Sequence, residues 1–172
     1  MKFHFDSNQS YQLEAVKSIT DLFEGQPLNN GDFSFSSGYG SINYHEEGFG
    51  NNLLLTEEQI RKNLEQVQLQ NNITTNTEQF HGMHFTVEME TGTGKTYVYL
   101  RTIYELNKLY NFKKFIIVVP SIAIREGVLK NLEITHQHFQ TIYDNASINF
   151  NVYDAKNVSA LRSFASSTAI QI

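Results

Sequence analysis

The chain has 172 residues, a length for one compact domain or one domain with an extension, and too short for two large ones. Hydrophobic residues make up 40% and charged residues 18%, which supplies a core and excludes disorder throughout. Net charge is −5, split as 4 Lys+Arg against 11 Asp+Glu in residues 1–80 and 9 against 7 in residues 81–172; only the second half suits phosphates, and charge alone does not indicate a nucleic-acid binder.

No Cys is present, which excludes a disulfide scaffold and a thiolate zinc site and fits a reducing compartment, with the cytoplasm expected. The N-terminus, Met1-Lys-Phe-His-Phe-Asp6, lacks an apolar leader core, and the strongest apolar run, Phe115 to Val119, is far below the about 20 residues that span a bilayer, so no membrane is expected. The 17 Asn and 11 Gln read as compositional bias and not as chemistry.

Taken in chain order, Tyr11 to Glu24 carries Ala15, Ile19, Leu22 and Phe23 at helical spacing, closed by Gly25 and Pro27, and predicts a helix. Residues 28–52 interleave Asn, Gly and Ser with aromatic residues and predict a long loop or insertion without regular structure. Thr56-Glu-Glu-Gln59 reads as a capping box, with Leu55 and Ile60 placed for a hydrophobic staple; Ile60, Leu64 and Val67 then carry a helix to about Gln70. The amide- and Thr-rich stretch from Asn71 to Glu78 predicts a linker.

Phe85, Val87 and Met89 alternate as in a strand, and Thr91-Gly-Thr-Gly-Lys-Thr96 interrupts it. Beyond this loop, Leu100, Tyr104 and Asn107 share one helical face and Ile103, Leu106 and Tyr110 the adjacent one, so the helix should be buried over much of its girth. Phe115-Ile-Ile-Val-Val119 predicts a strand covered on both faces in a parallel sheet, completing a βαβ unit. A weaker repeat follows: a helix through Ile124, Val128 and Leu132, a strand with Ile148, Phe150 and Val152, a short helix through Val158, Leu161 and Phe164, and a strand beginning at Ala169. Stopping on an apolar strand suggests a truncated chain.

Strand, glycine loop and helix in that order form the setting of a phosphate-binding loop. Gly92 and Gly94 allow successive backbone N–H groups to turn toward a pyrophosphate, and the helix N-terminus adds free donors and partial positive charge. Lys95 would reach the β- and γ-phosphates of ATP, and the Thr96 hydroxyl would ligate Mg²⁺. The full pattern G-x-x-x-x-G-K-[ST] asks for glycine where Met89 stands. Hydrolysis also needs an acidic Mg²⁺ ligand at a strand end, which no residue after the loop supplies, since Asp144 and Asp154 are isolated.

Pro120, Ser121 and Arg125 follow the second strand, where ligands of open α/β sheets collect. By themselves they read first as a Pro turn, a Ser helix cap and a solvated Arg125–Glu126 pair. Gln12 could pair with an adenine edge, yet alone it reads as a surface residue. The histidine pairs His81/His84 and His136/His138 lack acidic or Cys partners at ligand spacing and read as ordinary exposed or core histidines.

Taken in order, Tyr11-Gln-Leu-Glu-Ala15, Met89-Glu-Thr-Gly-Thr-Gly-Lys-Thr96 and Val118-Val-Pro-Ser-Ile-Ala-Ile-Arg-Glu-Gly127 resemble the superfamily 2 helicase motors, and more narrowly the Res subunit of type III restriction-modification systems. Tyr97-Val-Tyr-Leu-Arg101 and Phe115-Ile-Ile-Val-Val119 carry the narrower likeness. The resemblance implies an α/β fold of the P-loop NTPase (RecA-like) type, three layers around a parallel sheet. Residues 1–28 would hold a helix with the adenine-reading Gln12, residues 29–80 an insertion with one helix, and residues 81–172 the first part of a truncated lobe. It further implies ATP and Mg²⁺ as cofactors, Thr91 to Thr96 as the nucleotide loop, and Pro120, Ser121 and Arg125 against double-stranded DNA. The modification methyltransferase (Mod) subunit is the implied partner. Met89 is then no anomaly, because such motors often lack the first glycine. A type I restriction motor, a repair helicase and a nucleotide-binding module without hydrolysis are the competing readings.

Overall fold

The computed structural model describes residues 5–28, 33–35, 48–74, 82–154 and 156–172. Helix α1 (Ser10–Thr20) runs into a 3-10 turn (Asp21–Phe23); strands β1 (Phe33–Phe35) and β2 (Gly48–Gly50) follow, then α2 (Glu57–Gln70), α3 (Lys95–Tyr110), α4 (Ile122–Ile142), β3 (Ile148–Asn149), α5 (Val158–Ser166) and β4 (Ile170–Gln171). His81 and most of residues 29–47 lie outside the described residues.

The capping box forms as predicted: the Thr56 hydroxyl accepts from the Gln59 N–H at 3.3 Å while Gln59 Oε1 accepts from the Thr56 N–H at 2.8 Å. Helix α2 ends at Gln70 with Ile60 and Val67 buried beneath it. In α1 the buried stripe is Gln12, Val16 and Thr20, rotated from the expected Ala15 and Ile19. Part of the expected irregular stretch pairs, with Phe33 to Phe35 antiparallel to Gly50 to Gly48.

Helix α3 is the centre of the molecule. Eight of its sixteen residues are buried, because α1 packs along one side and α4 along the other. Tyr97, Leu100, Ile103 and Tyr104 meet Val128, Leu132 and Phe139 of α4, and Ile148 and Ile170 close the cluster.

The sheet is parallel but small. β4 lies between β3, with Ile148 opposite Ile170, and the segment at Lys114, which bridges to Gln171. Two expected strands are shorter than their sequences suggested. Phe85–Met89 carries no strand pairing, and of Phe115–Val119 only the first residue joins the ladder, through its N–H to the Gln171 carbonyl at 2.9 Å. Expected to be covered on both faces, this run instead has Ile116 81% and Val118 87% exposed. The third expected strand stops at Asn149, leaving Val152 exposed. A strand exists by its neighbours, whereas helical bonds close within the segment.

Amides fasten the periphery, so their abundance is partly chemical. The buried Gln26 donates to the Asn52 carbonyl and accepts from the Leu54 N–H, both at 2.9 Å. Asn51 accepts from the N–H groups of Lys113 and Lys114 at 2.7 and 2.9 Å and donates to the Lys114 carbonyl. Asn63 donates to the Leu22 and Glu24 carbonyls at the end of α1.

Burial pushes the Tyr104 phenol up to about 12 from its ordinary 10.0. Tyr143 is raised by burial and by accepting neighbour Glu105, against a smaller opposing pull from Arg101. Both rings must be neutral to stay buried, so their contribution to stability is complete below pH 10 and is lost as pH rises from there through the folded value, at up to about 1.4 kcal/mol per pH unit for each tyrosine. Urea midpoints measured between about pH 9 and 11.5 should fall, and Tyr104→Phe should flatten that fall.

Candidate functional site

The loop from Thr91 to Thr96 turns through two left-handed glycines, Gly92 at φ 84° and Gly94 at φ 86°, and delivers the chain into α3 at Lys95. No acidic side chain stands in the first turn of that helix. The loop is braced from below: Thr93 Oγ1 donates to the Glu90 carbonyl at 2.7 Å, and Lys95 Nζ donates to the same carbonyl at 2.8 Å. The first helical bond of α3 starts only at Val98, whose N–H reaches the Gly94 carbonyl at 3.0 Å. Among the described residues, the backbone N–H groups from Gly92 to Tyr97 therefore have no acceptor. A Cβ placed on Gly92 would meet nothing within 4 Å, so the space beside this glycine is open. N–H groups without an acceptor among the described residues, a helix N-terminus and an exposed lysine within one short loop suit an anion such as a pyrophosphate.

Gln12 joins this loop across the fold. The residue is only 8% exposed, and its Nε2 donates to the Thr93 carbonyl at 3.0 Å. The surface reading of Gln12 is thereby replaced: the buried stripe of α1 points it at the loop. The fit is close, because a Cβ on Gly94 would stand 2.7 Å from Gln12 Nε2.

Pro120, Ser121 and Arg125 sit at the start of α4, with no hydrogen bond or ion pair to the loop among the described residues. Ser121 Oγ caps α4 by accepting from the Ile124 N–H at 3.3 Å, and Arg125 pairs with Glu126 at 2.9 Å. These are the local roles that the bare sequence suggested. For Mg²⁺ the described loop offers the half-buried Thr96, and no group of three or more acidic, His or Cys side chains able to hold a metal occurs among the described residues. His138 is half-buried at the edge of the core, its Nε2 2.9 Å from the Tyr97 hydroxyl and its ring 5.1 Å from Phe5.

A buried polar relay behind the loop escaped the sequence reading. Arg101, 7% exposed, donates through Nε to the Tyr143 hydroxyl at 3.2 Å and through its terminal nitrogen to the Ser7 carbonyl at 2.6 Å. Tyr143 in turn donates to Glu105 at 2.8 Å. An arginine inside the apolar face of α3, four residues before a glutamate, was the available signal.

Residues 7–169 match the family model described as "Type III restriction enzyme, res subunit". The chain is 31% identical over 165 residues to the type III restriction-modification enzyme EcoPI Res subunit of Escherichia phage P1, covering 90% of this chain and 16% of that protein. It is 37% identical over 109 residues to the EcoP15I Res subunit of Escherichia coli, covering 61% of this chain and 11% of the relative. Over 61 residues it is 51% identical to the StyLTI Res subunit of Salmonella typhimurium, covering 34% of this chain and 6% of the relative. The chain thus spans a sixth or less of the length of these relatives. No described helix is long and apolar enough to cross a membrane. By the match over nearly its whole length, the chain belongs to the type III restriction enzyme Res-subunit family.

Proposed function

We propose that this chain is the N-terminal ATP-binding part of a Res subunit that, as a whole protein, is an ATP-dependent DNA translocase and endonuclease working in the cytoplasm with a Mod methyltransferase subunit. The observation that carries the proposal is the run of N–H groups from Gly92 to Tyr97, at the head of α3, that have no acceptor among the described residues. In this reading those groups hold the β- and γ-phosphates. Lys95 leaves the Glu90 carbonyl, a neutral acceptor, for the more strongly attracting phosphate. Thr96 would offer its hydroxyl oxygen to Mg²⁺, which would neutralise phosphate charge when bound. Gln12, already tied to Thr93 by one N–H, presents its remaining donor and acceptor to adenine.

Pro120, Ser121 and Arg125 take the role of DNA-backbone contacts. The Arg125–Glu126 pair is exposed and contributes little by itself, so exchanging Glu126 for a phosphate is inexpensive. The parallel sheet with helices on it is the core of a RecA-like lobe. The 172-residue chain alone should bind nucleotide and turn it over slowly or not at all.

Titration with a fluorescent ATP analogue, comparing the chain with Lys95→Ala, tests this. The variant should bind at least about tenfold more weakly, a difference of about 1.4 kcal/mol, with an unchanged circular dichroism spectrum because Lys95 is exposed. Equal binding by both removes the phosphate-loop assignment.

A further inference from the structure

Helix α1 begins without a side-chain cap. Its N-cap residue, Gln9, makes no side-chain cap bond, and no acidic residue stands in the first turn. Left to its own sequence, that turn is prone to fray. Gln12 lies in it, so fraying carries the Gln12 amide away from the Thr93 carbonyl. The residues just before the helix supply the fastening instead. The Phe5 ring lies 6.1 Å from that of Tyr97 and 5.1 Å from that of His138, and the Ser7 carbonyl accepts from Arg101 at 2.6 Å.

Both holds on the start of α1 come from the same element. Thr93 stands in the loop at the head of α3, and Arg101 lies about two turns further along that helix. Gln12 is therefore tied through the loop and Ser7 through Arg101. A rigid helix that grips its neighbour at two separated points fixes the neighbour's slide as well as its distance.

Arginine is a costly choice for this place. It is buried, and its two partners, the Ser7 carbonyl and the Tyr143 hydroxyl, are neutral; Tyr143 accepts from Arg101 and donates to the Glu105 carboxylate. Desolvating a guanidinium on these terms is unfavourable, and an apolar side chain of similar length would fill the place more readily. What such a side chain lacks is the forked donor that grips Ser7 and the residue closing α4, Tyr143, at once. Packing does not account for the arginine, whereas the hold on Ser7 does.

We propose that Arg101 is a positioning residue for base recognition: by holding the Ser7 carbonyl it fixes the first turn of α1, and with it the Gln12 amide, against Thr93. This rests on the adenine-reading role proposed for Gln12. Arg101 touches neither base nor phosphate and acts through Gln12, so its loss spares phosphate binding and removes the preference for adenine over guanine.

Titration of the 172-residue chain with ribose-labelled ATP and GTP analogues, with inorganic tripolyphosphate as competitor, tests this alongside NMR of the Gln12 side-chain amide protons without nucleotide. The unsubstituted chain should favour ATP by roughly tenfold. In Arg101→Met, and in Arg101→Lys, which keeps the charge without the fork, that preference should fall to about twofold or less. Tripolyphosphate should bind these variants as it binds the unsubstituted chain, and the Gln12 amide protons should exchange roughly tenfold faster. Adding Arg101→Met to Gln12→Ala should change the base preference no further. Phe139→Leu, which loosens the α3–α4 contact and leaves Arg101 in place, should lower the urea midpoint and keep the preference. Retention of both the ATP preference and the slow Gln12 exchange in Arg101→Met would overturn the proposal, as would an equal loss of ATP, GTP and tripolyphosphate binding. Absence of tripolyphosphate binding by the unsubstituted chain would instead overturn the phosphate-loop reading. In that case faster Gln12 exchange in Arg101→Met still supports the positioning role, and unchanged exchange overturns it.

Discussion

Phe139→Ala is expected to lower the unfolding free energy by about 3–5 kcal/mol. Phe139 is 1% exposed, and its ring lies 4.9 Å from Tyr104, 5.1 Å from Tyr97 and 5.4 Å from His138 between centroids. Three of these rings belong to the α3–α4 contact on which the sheet rests. Removing the benzyl group leaves a cavity that large aromatic neighbours cannot collapse into, so the loss includes the cavity as well as the transfer energy. Against a total stability of about 5–15 kcal/mol for an ordinary domain, this single change removes a large share. Urea denaturation should show a large fall in midpoint at constant slope. Phe139→Leu, which keeps most of the volume, should cost less than half as much.

The same contact shows what was legible from sequence. α2, α3 and α4 were visible because their signals are local: a capping box at Thr56, a glycine loop opening α3, apolar residues on helical faces. Strands were visible only as tendencies. Phe85–Met89, Phe115–Val119 and Ile148–Val152 have strand composition, yet backbone pairing reaches no further than Phe115 in the second and Asn151 in the third, since a ladder needs a neighbour that composition does not name. Asn51 and Gln26 were unreadable for a related reason. Each grips backbone more than twenty-five residues away, and an amide in an amide-rich chain gives no hint of its partner.

In the candidate site the contiguous part was legible and the assembled part was not. Gly92, Gly94, Lys95 and Thr96 announce their geometry because the loop is made from neighbours in sequence. Gln12 looks like surface until α1 is docked, whereupon its amide is buried against Thr93. Ser121 and Arg125 show the reverse: the local reading, cap and ion pair, describes their contacts in the structure, and a DNA role for them rests on resemblance alone.

The two loop glycines separate strain from contact. Both lie in the left-handed region, so an alanine at either costs about 1–2 kcal/mol from backbone handedness. At Gly92 that is the whole structural effect, because its Cβ would meet nothing within 4 Å. Gly92→Ala should therefore unfold only slightly earlier. At Gly94 the Cβ would come within 2.7 Å of Gln12 Nε2, inside any permitted contact. Gln12 must swing away and lose its bond to Thr93, a further loss of about 1 kcal/mol. Gly94→Ala should then destabilise by about 2–3 kcal/mol in all and remove the Gln12 amide from its position against Thr93. A double-mutant cycle with Gln12→Ala distinguishes the two. The Gly94→Ala loss should shrink by about 1 kcal/mol when Gln12 is already gone, whereas Gly92→Ala and Gln12→Ala should simply add. Additivity at both glycines would mean that Gln12 does not rest against the loop.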